Sequence, residues 1–423
     1  MGGPRIESRQ TRRLPCTLAF DSRPSERTHD LPSNGSPHNR TSVLMKKTHT
    51  APPSTGVPER ASAEATAAYA SRFGAAFEPG FFRPSTLGLT LSSIGAGTYL
   101  GGCYDEDDQA YTATLTDAFA RGINFVDTAP NYRAQRAERT VGAALRHAIE
   151  KGTIGRADVV ISTKGGYVPL NGEIPATREE YEKYLQRVFV GPGVVQADDI
   201  VRGHSLAPRF LRYSIALSRQ NMGIRTIDLY LLHNPEHQLQ SMTAEALRPR
   251  LRAAFAVLEE AAARGEIGCY GCASWNAFRT TPGSPDFLSL SWLLDIAKEV
   301  AGESHRFRAV QLPVNLAMAE GIRETNQRVR GGHPVTPIRA ATELGLAVIA
   351  SAPLMQGRLA SGLPESVREL FPNHRTDAQR AISFVKSLPG ITTTLVGMRD
   401  AAHLTENLEA FGRADSTPAG SGL

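Results

Sequence analysis

The chain has little cysteine and no long apolar segment. Four cysteines in 423 residues are too few for a disulfide scaffold and favour a reducing compartment. Cys269 and Cys272 form a C-x-x-C inside a predicted buried strand, where residues three apart point to opposite faces and can share neither a disulfide nor a zinc ion. No apolar run reaches the roughly eighteen residues of a membrane span, so we expect no membrane association and a cytoplasmic location.

A net basic charge is also missing outside the N-terminus. The first fifty residues carry nine Lys/Arg and four Asp/Glu, an excess equal to the +5 net charge of the whole chain. That segment is rich in Ser, Thr, Pro and Asn and lacks apolar periodicity, so we predict a disordered basic tail over residues 1–76 and no nucleic-acid binding. Three alternatives for the tail stay open: an export signal at TRRLPCTLAF, an organelle transit peptide, or a translation start at Met45.

A regular alternation of strands and helices begins at residue 86. Eight short runs rich in Val, Ile and Leu are each followed by a helical pattern, from LSSIGAGTY to TTTLVGM. A doubly wound open sheet would need a G-x-G-x-x-G after its first strand, which is missing. We predict an α/β fold, a (β/α)8 TIM barrel forming one domain over residues 77–415, with a flexible C-terminus at 416–423. Glycines fall where helix C-terminal caps belong, at Gly122, Gly152, Gly223, Gly265 and Gly345.

Polar residues stand at the ends of three consecutive predicted strands. Strand two ends in Asp127 with Tyr132 in the next loop, strand three ends in Lys164, and strand four ends in His233. Barrel enzymes build their sites at this rim, so we predict that the four side chains converge. We expect Asp127 to pair with Lys164, the ammonium to lower the pKa of Tyr132, and His233 to hydrogen-bond a substrate oxygen. Such a site suits proton donation to a carbonyl oxygen while a cofactor supplies hydride.

These motifs resemble those of the aldo-keto reductases. The resemblance covers about residues 83–412 and runs through FVDTAPNY, VVISTKGG, IDLYLLHNPE, GCASWN, VQLPVNL, IASAPLMQGRL and LVGMRDAAHLTEN. It implies an NADP-dependent oxidoreductase that reduces an aldehyde or ketone to an alcohol, or runs the reverse oxidation. It also implies that Asp127, Tyr132, Lys164 and His233 are the catalytic tetrad, with the proton coming from Tyr132.

The resemblance further implies a site for NADPH. Ser274, Gln311 and either Asn276 or Trp275 would hold the nicotinamide amide, and a glutamine buried on an apolar strand favours a ligand contact. Arg399 would meet the 2′-phosphate of the adenosine, which favours NADPH over NADH. The loop after strand seven would hold the pyrophosphate, through Leu354, Gln356, Gly357 and Arg358. The segment after strand eight would hold the adenosine, through Gly397, His403, Glu406 and Asn407.

The turn after the tyrosine and the end of strand seven depart from the family pattern. Arg133 and Gln135 stand where glycines are expected after the tyrosine, so we expect a bulkier, more basic substrate mouth, with Arg133 and Arg136 solvated or facing an anionic substrate. Ser351 replaces an aromatic residue that usually stacks on the nicotinamide.

The connection after strand three carries a long insertion at about 165–207. We predict that it covers the active site, with His204 as a candidate substrate contact. Its aromatic side chains either line a pocket or pack the loop on itself: Tyr167, Tyr181, Tyr184 and Phe189.

Two functions from different classes remain. The intact tetrad favours an active reductase that takes a small carbonyl or alcohol substrate. The alternative is a non-catalytic NADPH-binding sensor or auxiliary subunit with the same barrel. No His-x-His or carboxylate cluster stands at the strand ends, so no metal site is expected. No heptad pattern appears, and a monomer is preferred.

Overall fold

The computed structural model describes residues 60–329 and 332–412. All eight predicted barrel strands are present, so the predicted (β/α)8 fold is confirmed. The strands are β1 (Phe82–Pro84), β2 (Thr90–Ser92), β3 (Ile94–Gly97), β4 (Phe125–Asp127), β5 (Val160–Gly165), β6 (Ile227–His233), β7 (Ile267–Ala273), β8 (Phe307–Pro313), β9 (Gln327–Arg328), β10 (Pro334–Val335), β11 (Ala347–Ser351) and β12 (Ile391–Gly397). Parallel pairing closes the barrel in the order β11-β12-β3-β4-β5-β6-β7-β8, while β1–β2 and β9–β10 are antiparallel pairs outside it.

A helix follows each barrel strand, as predicted. The helices are α1 (Ala63–Phe73), α2 (Asp105–Ala120), α3 (Arg136–Glu150), α4 (Arg178–Leu185), α5 (Pro208–Met222), α6 (Ala244–Ala263), α7 (Leu290–Ala301), α8 (Glu320–Arg323), α9 (Pro337–Glu343), α10 (Glu365–Leu370), α11 (Asp377–Ser387) and α12 (Ala401–Glu409). All five predicted cap glycines have positive φ, from 67° to 99°, which ends the preceding helix without the steric penalty of a Cβ.

Side chains along each strand alternate between two apolar clusters. Phe125, Val160 and Leu231 belong to a cluster that fills the barrel, whereas Val126, Ile161 and the other intervening residues pack between strands and helices. This period of two follows from strand geometry. It also decides which polar residues at the strand ends point into the barrel mouth.

Helix α1 corrects the predicted boundary of the tail. Residues 63–73 are helical rather than disordered, because Tyr69 is buried and its hydroxyl donates to the Phe119 carbonyl at 2.6 Å. Ser62 caps the helix by accepting from the Ala65 amide. The rest of the predicted tail, 1–59, and the predicted C-terminus at 416–423 lie outside the described residues. Among the residues that the structure describes, no helix is long and apolar enough to cross a membrane.

Candidate active site

Strand alternation brings the predicted strand-end residues together. On β4, Phe125 points into the barrel, so Asp127 two residues later does the same; Val160 likewise sets the direction of Lys164 on β5. Leu231 sets that of His233 on β6. These strands are hydrogen-bonded neighbours, so the three side chains share one side of the barrel mouth. The predicted convergence is present.

Asp127 and Lys164 form the predicted ion pair. The Lys164 Nζ donates to Asp127 Oδ2 and, at 3.0 Å, to the Thr128 carbonyl. Asp127 Oδ1 accepts from Ser162 Oγ at 3.0 Å and from Gln311 Nε2 at 3.1 Å. Burial lowers the pKa of Lys164, and the Asp127 carboxylate opposes that shift. The carboxylate thus has several donors, and Gln311, expected to need a ligand, already has a protein partner.

Tyr132 lies against this ion pair with its side chain 9% exposed. The Lys164 ammonium is 4.8 Å from the centre of the phenol ring, and the ring of Tyr99 packs edge-on at 5.0 Å. Burial raises the pKa of Tyr132 well above its ordinary value, and the charge of Asp127 adds to the shift. Our expectation that Lys164 would lower this pKa is therefore wrong, because burial of the phenol dominates. The phenol stays protonated at neutral pH and can act as an acid.

His233 completes the group as a neutral imidazole. Its ring lies 5.8 Å from the ring of Tyr132 and 4.9 Å from that of Tyr167. Burial and then the charge of Lys164 lower its pKa well below the ordinary value. His233 Nδ1 is buried without a hydrogen-bond partner among the described residues. A neutral imidazole keeps one N–H to donate, which suits a hydrogen bond to an uncharged oxygen.

The turn after Tyr132 differs from the expectation of a basic substrate mouth. Arg133, Ala134 and Gln135 all have positive φ, at 47°, 50° and 72°, which is the left-handed conformation that glycine adopts most easily. Arg133 is 1% exposed rather than solvated, and Gln135 is also buried, donating to the Leu170 carbonyl at 2.7 Å. The strained turn therefore directs both side chains into the protein.

Three side chains hold the buried Arg133 guanidinium. It donates to Asp108 at 2.9 Å and to Thr140 Oγ1 at 3.0 Å, and lies 4.7 Å above the ring of Tyr111. Arg136 pairs with Asp105 and Asp108, so it is not free for an anionic substrate in this conformation either.

Two of the predicted nicotinamide contacts, Ser274 and Asn276, are hydrogen-bonded to Glu236, an acid that sequence reasoning missed. Ser274 Oγ donates to Glu236 Oε1 at 2.7 Å, and the amides of Trp275 and Asn276 donate to the same oxygen at 3.1 and 3.2 Å. Glu236 is 3% exposed, and burial raises its pKa. The only signal in the sequence is an acid three residues after the end of a buried strand, in IDLYLLHNPE. Glu236 therefore fixes the loop that carries Ser274 and Asn276.

The loop after β11 presents backbone donors. Four residues have positive φ there, including Gln356 at 57° and Gly357 at 88°. Three amides, those of Leu354, Gln356 and Gly357, donate to no acceptor among the described residues, and the side chain of Arg358 is exposed. Consecutive amides of this kind form a nest that can bind an anion.

The segment after β12 is more open. Gly397 ends β12, Arg399 is 53% exposed, and His403 is exposed. Arg399 is not free, because its Nη1 donates to Asp107 Oδ1 at 2.6 Å. A groove of about 510 Å³ lies between α11 and α12 and is lined in part by Glu406. Asn407, one residue further on, is buried.

The family follows from the sequence match. Residues 93–283 match the model of the aldo/keto reductase family. The match covers slightly less than half of the chain. The matched segment contains Asp127, Tyr132, Lys164 and His233 and ends before Gln311, the β11 loop and α12.

The curated relatives are similar over about half of their length. A D-threo-aldose 1-dehydrogenase of a Pseudomonas species is 30% identical over 194 residues, which are 45% of this chain and 52% of that one. An NADH-specific methylglyoxal reductase of Escherichia coli is 29% identical over 197 residues, 45% of this chain and 51% of that one.

A solved structure extends the likeness in fold to the whole barrel. An aldo/keto reductase of Klebsiella pneumoniae, solved with NADP and acetate, has a TM-score of 0.51 at 19% identity, covering 78% of this chain and 89% of that one. At that identity the comparison shows the fold alone. Groups of three or more metal-ligating side chains are absent from residues 60–329 and 332–412.

The insertion after β5 divides into two parts. Tyr167 lies against His233, and its hydroxyl accepts from Asn234 Nδ2 at 2.8 Å, so it lines the mouth. Tyr184 and Phe189 instead pack the insertion on itself around α4 and α5.

His204 is a structural residue rather than the candidate substrate contact. It is fully buried, its Nε2 is 2.7 Å from the His233 carbonyl, and its Nδ1 is 3.0 Å from Gln238 Nε2. Both ring nitrogens therefore have protein partners, and the histidine ties the insertion to the end of β6.

Proposed function

We propose that the protein reduces a small aldehyde or ketone with NADPH, or oxidises the matching alcohol, with Tyr132 as the proton donor. The observation that carries this proposal is a buried, protonated phenol beside a buried lysine–aspartate ion pair at the mouth of a (β/α)8 barrel. The family of residues 93–283 supports the same reaction class.

Each of the four rim residues has a separate task in this reaction. Tyr132 donates its proton to the carbonyl oxygen, and Lys164 stabilises the phenolate that remains. Asp127 keeps the ammonium oriented through the ion pair and through its bonds to Ser162 and Gln311. His233, held neutral, donates a hydrogen bond to the carbonyl oxygen and directs it toward Tyr132.

The residues at the other side of the mouth suit a dinucleotide. A bound nicotinamide cofactor would supply hydride to the carbonyl carbon. The amides of Leu354, Gln356 and Gly357 are available for a pyrophosphate, with Arg358 beside them. Arg399 and His403 would face the adenosine phosphate, with Gly397 at the strand end, and the groove beside Glu406 and Asn407 would take the adenine. Ser274, Asn276 and Gln311 would lie at the nicotinamide, where Glu236 and Asp127 hold them.

The substrate face of this mouth is aromatic. Tyr99 packs on Tyr132, Tyr167 packs on His233, and Trp275 is 42% exposed beside Ser274. Such rings stack on the apolar faces of sugars as well as on aromatic aldehydes. The names of the two curated relatives, an aldose dehydrogenase and a methylglyoxal reductase, support testing an aldose and a small dicarbonyl compound first.

The test is turnover by the full chain with NADPH over aldoses, methylglyoxal and aromatic aldehydes, in both directions. Replacing Tyr132 by Phe should lower kcat by about a thousandfold while leaving the Kd of NADPH nearly unchanged, because the phenol supplies a proton rather than a cofactor contact. Tyr230→Phe is the matched control, since its buried hydroxyl lies on the opposite face of β6 and should not affect turnover. NADPH binding without turnover on any substrate would favour the sensor instead.

A further inference from the structure

The first turn of α2 holds one carboxylate against the arginine that would face the adenosine phosphate. Asp107 Oδ1 accepts from Arg399 Nη1 at 2.6 Å, and Asp107 Oδ2 accepts from the Gly102 amide at 2.5 Å. The Asp107 side chain is 13% exposed, against 53% for Arg399. The aspartate is therefore the fixed partner of the pair, and the arginine is the more accessible one.

Both backbones of the pair are anchored. Thr114 Oγ1, on the next turns of α2, donates to the Arg399 carbonyl at 3.0 Å. A Cβ at Gly102 would lie 2.3 Å from the ring of Tyr104, so a larger residue there would have to displace that exposed ring from beside the amide that donates to Asp107. The carboxylate stays beside Arg399 even when the arginine changes rotamer.

We propose that Asp107 is a specificity-determining residue that weakens the preference for NADPH over NADH. The inference rests on the proposed function, in which Arg399 faces the 2′ position of the adenosine. A 2′-phosphate that binds Arg399 comes close to the Asp107 carboxylate, a like charge. A 2′-hydroxyl can instead donate a hydrogen bond to that carboxylate, which is how an acidic side chain selects NAD in other nucleotide sites. The pair of one arginine and one aspartate lets the site take both cofactors.

The experiment replaces Asp107 by Asn in the full chain. Asparagine keeps one oxygen to accept from the Gly102 amide, while its NH2 group cannot accept from Arg399, so the variant removes the charge and the ion pair. We expect the Kd of NADPH to fall about fivefold, the Coulomb effect of one exposed charge at contact distance, and the Kd of NADH to stay the same or rise. Fluorescence titration with each nucleotide at low salt measures both constants without turnover. Added salt should reduce the gain for NADPH, because it screens exposed charges.

Glu106→Gln is the matched control. Glu106 is exposed in the same turn of α2, so its replacement changes the net charge equally without touching Arg399. An unchanged ratio of the two Kd values in Asp107→Asn, or an equal change in Glu106→Gln, would overturn the inference and leave the proposed function standing. Failure of the wild-type chain to bind either nucleotide would overturn the proposed function, and this inference with it.

Discussion

The two sides of the barrel mouth are built on different physical rules. At the ends of β4, β5 and β6, Asp127 and Lys164 are buried and His233 is half-buried. Strand alternation sets the directions of these side chains, because each follows an inward-pointing apolar residue. After β12, Arg399 and His403 are exposed, and the partner of Arg399, Asp107, comes from a distant helix. The first side depends on backbone geometry, and the second depends on surface charge.

The same difference separates two arginines whose aspartate partners lie in one helix turn. Asp107 and Asp108 are neighbours in the first turn of α2, yet one holds the exposed Arg399 and the other the buried Arg133. A buried ion pair that loses one partner leaves an unpaired charge in a poorly solvated place, whereas an exposed pair is screened by water. The two arginines should therefore matter for different properties, Arg133 for stability and Arg399 for ligand discrimination.

Replacing Arg133 should have the largest effect on stability. Arg133→Ala removes a fully buried guanidinium from Asp108, Thr140 and the ring of Tyr111, and we expect the free energy of unfolding to fall by about 3 kcal/mol. Urea unfolding measures the change. Arg136→Ala is the control, since Arg136 pairs with the same Asp108 but has a side chain that is 23% exposed; it should cost about 1 kcal/mol or less. Equal losses would contradict the difference between buried and surface pairing.

Acid should destabilise the protein through histidines that the fold holds neutral near Tyr132. Burial lowers the pKa of His204 to about 3, from an ordinary value of about 6.5 in the unfolded chain. Between those two values the unfolded chain binds a proton that the folded chain does not, so stability falls as the pH drops. From pH 7 to pH 5 we expect His204 to contribute about 2 kcal/mol to this loss.

Urea unfolding of the wild type and of His204→Gln at both pH values measures that contribution. The variant should start less stable, because glutamine cannot reproduce both hydrogen bonds of the imidazole, but it should lose less stability in acid. The lowered pKa values of His233 and His237 act in the same direction, so part of the acid loss should remain. An identical acid loss in the two proteins would show that His204 is not held neutral.

The sequence was sufficient to predict the barrel and the directions of the side chains at the ends of β4, β5 and β6, because both depend on local periodicity. Alternation within β4, β5 and β6 fixes where Asp127, Lys164 and His233 point, whatever surrounds them. Periodicity carries no information on partners from other elements. It therefore missed Glu236 beneath Ser274, Asp108 opposite Arg133, and Asp107 opposite Arg399. It also misjudged the pKa of Tyr132, because the desolvation of a phenol depends on how tightly the finished fold encloses it.

Replacing Arg399 should have the smallest effect on the protein and the most selective effect on its ligand. We expect Arg399→Ala to raise the Kd of NADPH about tenfold and to leave that of NADH nearly unchanged, since only the former carries a 2′-phosphate. This is the lower end for a charge-assisted hydrogen bond, because Asp107 already neutralises part of the arginine charge. Arg212→Ala is the matched control, as Arg212 is an exposed arginine that pairs with Glu260 between α5 and α6, away from the groove between α11 and α12. Equal weakening of both nucleotides in Arg399→Ala would place the 2′-phosphate elsewhere on the rim, and the comparison of the two sides would then rest on Arg133 alone.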